Sequence, residues 1–249
     1  MRAVVRVLAS LAIASGCAAT VTDGGGETDT LAVPATSGEI EGVPSTWNRD
    51  HLMDNSFFEA KDWASAEEIQ RFLERTVWDR PSWLARETVV LVNELPRGPM
   101  LVSEAIVRTA QAHRINPLLL LARMQVEKSL VSRSTTPPAG GRAFAFGCYK
   151  PTAAHPNGRD PANAGFEAQL ECAATTLENQ IANARNSQNN FLIRHDKTTE
   201  DGVMVRPAEA ATSALYAYTP VEGTKAHNGN YLVWMITRRF AVAIQSARQ

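Results

Sequence analysis

Histidine, cysteine and tyrosine are scarce in this chain, five, three and four in 249 residues, and the way they are spread closes off several chemistries. His51, His113, His155, His195 and His227 share no ligand spacing, and no His-Glu-x-x-His occurs, so no metal site and no cofactor are expected. A Gly-x-Ser-x-Gly elbow is absent, and so is a phosphate loop. Neither charge sign is in excess: the net charge is −1, whereas a nucleic-acid binder carries a basic face. Beyond the first twenty positions no run of 18 apolar residues appears, which argues against an internal membrane span. What remains is a chain of 44% hydrophobic and 20% charged residues, the balance of a soluble globular domain with ample material for a core.

The first residues read as an export signal. Arg2 and Arg6 give a positive start, 7–13 supply a short apolar stretch, and Ala14-Ser15-Gly16 are small residues of the kind found at a cleavage site. Ala14-Ser15-Gly16-Cys17 resembles the lipobox of bacterial lipoproteins, with Ala where Leu is usual, and the resemblance implies that Cys17 is lipidated and anchors the chain to a membrane. A plain secretory signal cut near Gly16 is the alternative. Residues 18–45 are rich in Gly, Thr, Asp, Ser and Pro, including Gly24-Gly25-Gly26, and read as a flexible tether. Three segments follow: a signal over 1–16, a lipidated cysteine and tether over 17–46, and a folded domain over 47–249 that starts near Trp47. With Cys17 lipidated, Cys148 and Cys172 form an even pair in an oxidising compartment and are expected to be bridged; two buried thiols are the other option.

Residues 116–131, Asn-Pro-Leu-Leu-Leu-Leu-Ala-Arg-Met-Gln-Val-Glu-Lys-Ser-Leu-Val, predict a helix buried nearly all round. Asn116 suits the N-cap and Pro117 the first helical position, where its missing N–H is not needed. Glu127 then shares a face with Leu120, Met124, Leu130 and Val131. Apolar neighbours and the negative end of the helix dipole both disfavour its ionised form, as a general acid requires. The plainer reading is an ion pair with Arg123, four residues earlier on the same face.

Around this helix the pattern is mainly α. Ser65-Ala66-Glu67-Glu68 is a capping box opening a helix with Ile69, Phe72 and Leu73 at helical spacing. Residues 81–99 form a broken connection in which 89–92 fit strand or helix equally. Ser103 is expected to cap a helix running through His113. Phe144 and Phe146 are expected in the core. Residues 165–185 predict a long helix burying Phe166, Leu170, Ala173, Leu177 and Ile181; 197–202 a charged turn; 207–218 and 231–247 two further helices joined by a polar loop.

Several of these stretches, taken in order, resemble the lysozyme-like cell-wall hydrolases, the group of soluble lytic transglycosylases and glucosaminidases. They are Asn116 to Leu121 with Glu127-Lys128-Ser129-Leu130, Ser65 to Leu73, Phe146-Gly147-Cys148, Ala214 to Pro220, Asn228-Gly229-Asn230-Tyr231, and Phe240. The likeness spans about 53–240. It implies a lysozyme-like helical domain acting on the amino-sugar strand of peptidoglycan, with Glu127 as general acid and base. The export and lipid signals place the expected monomer on the periplasmic face of the envelope, with the outer membrane as one option. The resemblance further implies that Gly147 and Tyr149 line the groove, that Tyr218 orients Glu127, and that Ser129 stands in for the serine that directly follows the glutamate in many transglycosylases, displaced here by Lys128. Tyr216, Tyr231 and His227 complete the expected substrate contacts; His227 reads equally as an exposed loop residue, and Tyr216 and Tyr218 as packing residues.

A two-carboxylate glycosidase needs its acids about 5 Å apart for retention and somewhat more for inversion. No second acid stands out: Asp160, Glu167 and Glu104 read as surface charges. The simpler expectation is a single-glutamate route in which Glu127 protonates the β-1,4 glycosidic oxygen between N-acetylmuramic acid and N-acetylglucosamine. It then deprotonates the muramoyl 6-hydroxyl, the lytic transglycosylase outcome, or a water. The rival from another class is a lipid-anchored wall-binding protein that keeps the groove without turnover.

Overall fold

The computed structural model describes residues 38–91, 98–148 and 164–248. Cys17 with the expected signal, Tyr149 and Asp160 lie outside them. Eight α-helices in the described residues carry the architecture, with strands limited to two short antiparallel pairs, so the expectation of a mainly α fold holds. In chain order they are α1 (Asn55–Phe58), α2 (Ala66–Glu74), α3 (Val102–Ala112), α4 (Pro117–Lys128), α5 (Ala139–Ala143), α6 (Phe166–Arg185), α7 (Ala210–Tyr218) and α8 (Gly229–Ser246). Strand β1 (Thr88–Val89) pairs with β2 (Met100–Leu101), and β3 (Lys197–Thr198) with β4 (Met204–Val205). The ambiguous stretch at Val89 is therefore a strand at its start.

Helix α4 is the axis of the fold. It packs against α3, α6 and α8, and every residue from Pro117 to Gln125 is buried. Its N-terminus forms as the sequence predicts: the Asn116 side-chain oxygen accepts from Leu118 N at 3.0 Å, and Pro117 fills the first position. Asn116 also donates from Nδ2 to the Phe57 carbonyl at 3.0 Å, tying α4 to α1. Each fully buried leucine in the following run contributes about 1.5–3 kcal/mol of apolar transfer.

The helix ends earlier than predicted. Ser129 takes the left-handed conformation at φ 52° and terminates α4 at Lys128. Leu130 and Val131 are buried beyond that break, so they do not continue the face that bears Glu127. Gln125 stabilises the reversal, its Oε1 accepting from Ser132 N at 2.9 Å and its Nε2 donating to Ser132 Oγ at 3.1 Å.

The capping box at Ser65 is complete, with Glu68 N donating to Ser65 Oγ and Ser65 N to Glu68 Oε2. The predicted face of α6 is buried from Phe166 to Ile181. Two expectations need correction. Ser103 lies inside the first turn of α3 and donates from Oγ to Gln70 Oε1, while Leu101 occupies the cap position, because Val102 is drawn into the helix by its burial. The folded unit also begins ahead of Trp47: Ile40 and Val43 are bridged to each other and sit in the core, so a short apolar pair orders what the tether composition hid. No described helix is long and apolar enough to cross a membrane.

Candidate functional site

Glu127 stands in the last turn of α4, half-buried at the end of an otherwise enclosed helix. Three features define its surroundings. First, burial raises the proton affinity of its carboxyl above the ordinary glutamate range, while the charges of Arg123 and then Lys128 pull the other way. Second, among the described residues no cationic nitrogen lies within 4.0 Å of its oxygens, so the plainer alternative, an ion pair with Arg123, does not form. Third, the backbone of Gly147 lies directly against the carboxylate: a Cβ at that position would fall 2.5 Å from Oε2 and 2.9 Å from Cδ. Gly147 also has φ 61°, a conformation that glycine adopts without strain.

Arg123 is held by the end of α7. It is 1% exposed, donates from Nη1 to Thr219 Oγ1 at 2.7 Å, and places its guanidinium 4.0 Å from the centroid of the Tyr218 ring. Its Nε and Nη2 find no hydrogen-bond partner among the described residues. Burial lowers the proton affinity of this guanidinium, and Tyr218 and Glu127 counter that; an arginine nonetheless stays charged. The site thus holds a permanent buried cation near a reluctant carboxylate, without direct contact between them.

Tyr218 brings its hydroxyl to 3.5 Å from the Phe146 carbonyl, the long limit of a hydrogen bond, one residue ahead of Gly147. Phe146 is core, as expected, but Phe144 is only half-buried. Cys148 is bridged to Cys172 on α6, so the pairing predicted from cysteine number is present. Gln169, fully buried on α6, donates from Nε2 to Cys148 O at 2.6 Å and accepts from Cys148 N at 3.1 Å.

The remaining predicted contacts divide. Tyr216 is fully buried, stacks on Phe191 at 5.4 Å and donates to the Arg49 carbonyl; with no exposed surface it is a core residue and its expected sugar contact is withdrawn. Burial also holds its hydroxyl proton more tightly. Ser129 is exposed and serves as the left-handed end of α4. His227 is exposed, and its ring lies 5.8 Å from Tyr231. Tyr231 in turn packs with Trp47 and Trp234 in a half-buried aromatic group at the start of α8. Glu104 pairs with Arg108 on the surface, as expected of a solvated charge.

Sequence reasoning missed Gln169 and the partners of Arg123, since a lone amide on an amphipathic helix carries no signal. It also missed that His51, Asp54 and Glu209 bring one potential ligand atom each within 4.8 Å of one another. That juxtaposition joins distant segments, with His51 bonded to Asp54 at 2.7 Å and Glu209 accepting from Asn55 N. Comparison with protein-family models, curated proteins and solved structures returns no match to the chain.

Proposed function

We propose that this protein cleaves the glycan strand of peptidoglycan, with Glu127 as a single general acid and base. The observation that carries the reading is the Glu127 carboxyl itself: desolvated at the end of a buried helix, covered on one side by bare glycine backbone, and without an ion-pair partner among the described residues. A carboxyl in that setting holds its proton at higher pH than a solvated one, which suits donation to a glycosidic oxygen. As the C1–O bond breaks, the proton passes from Glu127 to the leaving 4-oxygen. The carboxylate then takes a proton from the muramoyl 6-hydroxyl, whose oxygen closes on C1 to give an anhydro end, the outcome we favour, or from a water that adds to C1. Arg123 and Lys128 stabilise the transient carboxylate electrostatically.

In this reading the fold is lysozyme-like, Gly147 and Tyr218 belong to the wall of the site, and Tyr231, at the start of α8, and His227, just ahead of that helix, are further substrate contacts. The chain acts as an exported lipoprotein, tethered through Cys17. Glu127→Gln tests the activity: purified sacculi incubated with the wild-type protein release soluble muropeptides, and the variant releases none while keeping its helical circular dichroism. Undiminished release by the variant would remove Glu127 from the mechanism. Lys128, which opposes proton retention by its neighbour, favours the second reading, a wall-binding protein without turnover. Mass spectrometry of the same soluble fraction separates the two, since a binder stays on the sacculi and releases nothing.

A further inference from the structure

We infer that Gln169 is a positioning residue that holds the backbone cover of Glu127 in register, acting through Cys148. The inference rests on the proposed role of Glu127 and adds the part that keeps its surroundings fixed. Phe146 and Cys148, on either side of Gly147, meet one stripe of α6. Phe146 meets Phe166 edge-on at 5.9 Å, Cys148 is bonded through both backbone groups to Gln169, and its sulfur is bridged to Cys172. Phe166, Gln169 and Cys172 follow at intervals of three, the spacing of neighbours on one helix face.

Packing alone does not call for an amide at the middle position. A buried glutamine costs free energy unless both ends of its carboxamide are bonded, and here both ends are bonded to the same residue, in the manner of a strand partner. Two opposed bonds to one residue specify register in a way apolar contact does not. A slip by one residue would bring a side chain to the place where only the bare Gly147 backbone fits, 2.5 Å from Glu127 Oε2. The disulfide joins the same residue to the same helix, so the two ties act in parallel, and the Tyr218 hydroxyl steadies the Phe146 carbonyl from α7.

The charged and titratable groups near Glu127 among the described residues are Arg123 and Lys128 on α4, with Tyr218 on α7 reached through Arg123. Gly147 itself offers the carboxylate no side chain. Loosening its backbone therefore changes the solvation of Glu127 while Arg123 and Lys128 stay on α4.

The test uses the full chain with Gln169→Met, which keeps length and removes the two bonds to Cys148, in oxidised form and after reduction of the disulfide. Carbon-13 NMR follows the carboxyl titration of Glu127, assigned by its loss in Glu127→Gln. Release of carefully solubilised glycan strands supplies kcat and KM. We expect the Glu127 midpoint to fall toward the ordinary glutamate range as water enters. We expect kcat to fall about 10²-fold with KM little changed, the loss typical of a group displaced by about 1 Å. Reduction should deepen both effects in the variant beyond its effect on the wild type.

A Glu127 titration that coincides with wild type in both redox forms overturns the inference, even if the variant melts lower, because a purely structural amide would lower stability alone. Should Gln169→Met fail to fold, Gln169→Leu, which removes the same two bonds to Cys148 and adds no titratable group, is read in the same way. If the wild-type protein cleaves no glycan, the proposed function fails, and the titration alone then decides the role of Gln169.

Discussion

Replacing Gly147 with alanine puts the central contact of the site to the test. The added Cβ would meet Glu127 Oε2 at 2.5 Å, where 3.4 Å or more is an ordinary contact, so the carboxylate must withdraw by roughly 1 Å. Alanine at φ 61° adds about 1–2 kcal/mol of backbone strain. For a domain of this size that strain lowers the melting temperature by about 2–8 °C. Rate should fall much further, about 10²-fold, because a displacement of this size spoils the alignment of an acid with its leaving group. Gly202→Ala is the matched control: its φ of 79° imposes the same kind of strain, yet an added Cβ there meets nothing within 4 Å. Differential scanning calorimetry and muropeptide release on both variants separate the two effects. The expected result is a similar loss of stability in both and a loss of cleavage in Gly147→Ala alone. Equal cleavage by the two variants would refute the claim that Gly147 exists to receive the Glu127 carboxylate.

Three further outcomes follow from the same structure. Burial raises the Glu127 proton affinity in the folded state, so the folded chain binds more protons than the unfolded one between the ordinary glutamate titration and the raised one, and stability falls as pH rises through that window. Glu127→Gln should therefore melt above wild type at neutral pH, with the gap closing in acid below the ordinary glutamate range; a gap independent of pH would contradict the assigned burial. Asn116→Ala removes the cap of α4 and leaves the buried Phe57 carbonyl without that donor, costing about 2–4 kcal/mol in urea unfolding. Replacing Cys148 and Cys172 together by alanine opens a loop of sequence separation 24, a loss of about 3 kcal/mol in the chain-entropy model, measured in the same way.

Much of the scaffold was readable along the chain because it is set by neighbours three or four residues apart. Asn116 and Pro117 start α4, Ser65 and Glu68 start α2, and the apolar spacing on α6 names its buried face, each through local rules of capping and periodicity. The same rules placed Glu127 on a buried helix. They mislocated the C-terminal end of α4 and the cap of α3, where the side chain of Gln125 and burial of Val102 overrode local preference. They also passed over Ile40 and Val43, two apolar residues too few to stand out in a Gly- and Ser-rich stretch, which the core nevertheless captures.

The character of the site came from contacts that no local pattern encodes. Periodicity put Arg123 on the face of Glu127 and suggested an ion pair, but Thr219, 96 residues away, and the Tyr218 ring draw the guanidinium aside. Tyr216 and Tyr218, two residues apart and alike in sequence, part company because one faces the core and the other faces Arg123. By itself the amino-acid order determined the helices, the disulfide partners and the presence of an acidic side chain at the end of an apolar helix. Only the tertiary structure decided that this acid is covered by the Gly147 backbone and left without a salt-bridge partner among the described residues, since desolvation is a property of what packs around a group and not of its neighbours along the chain.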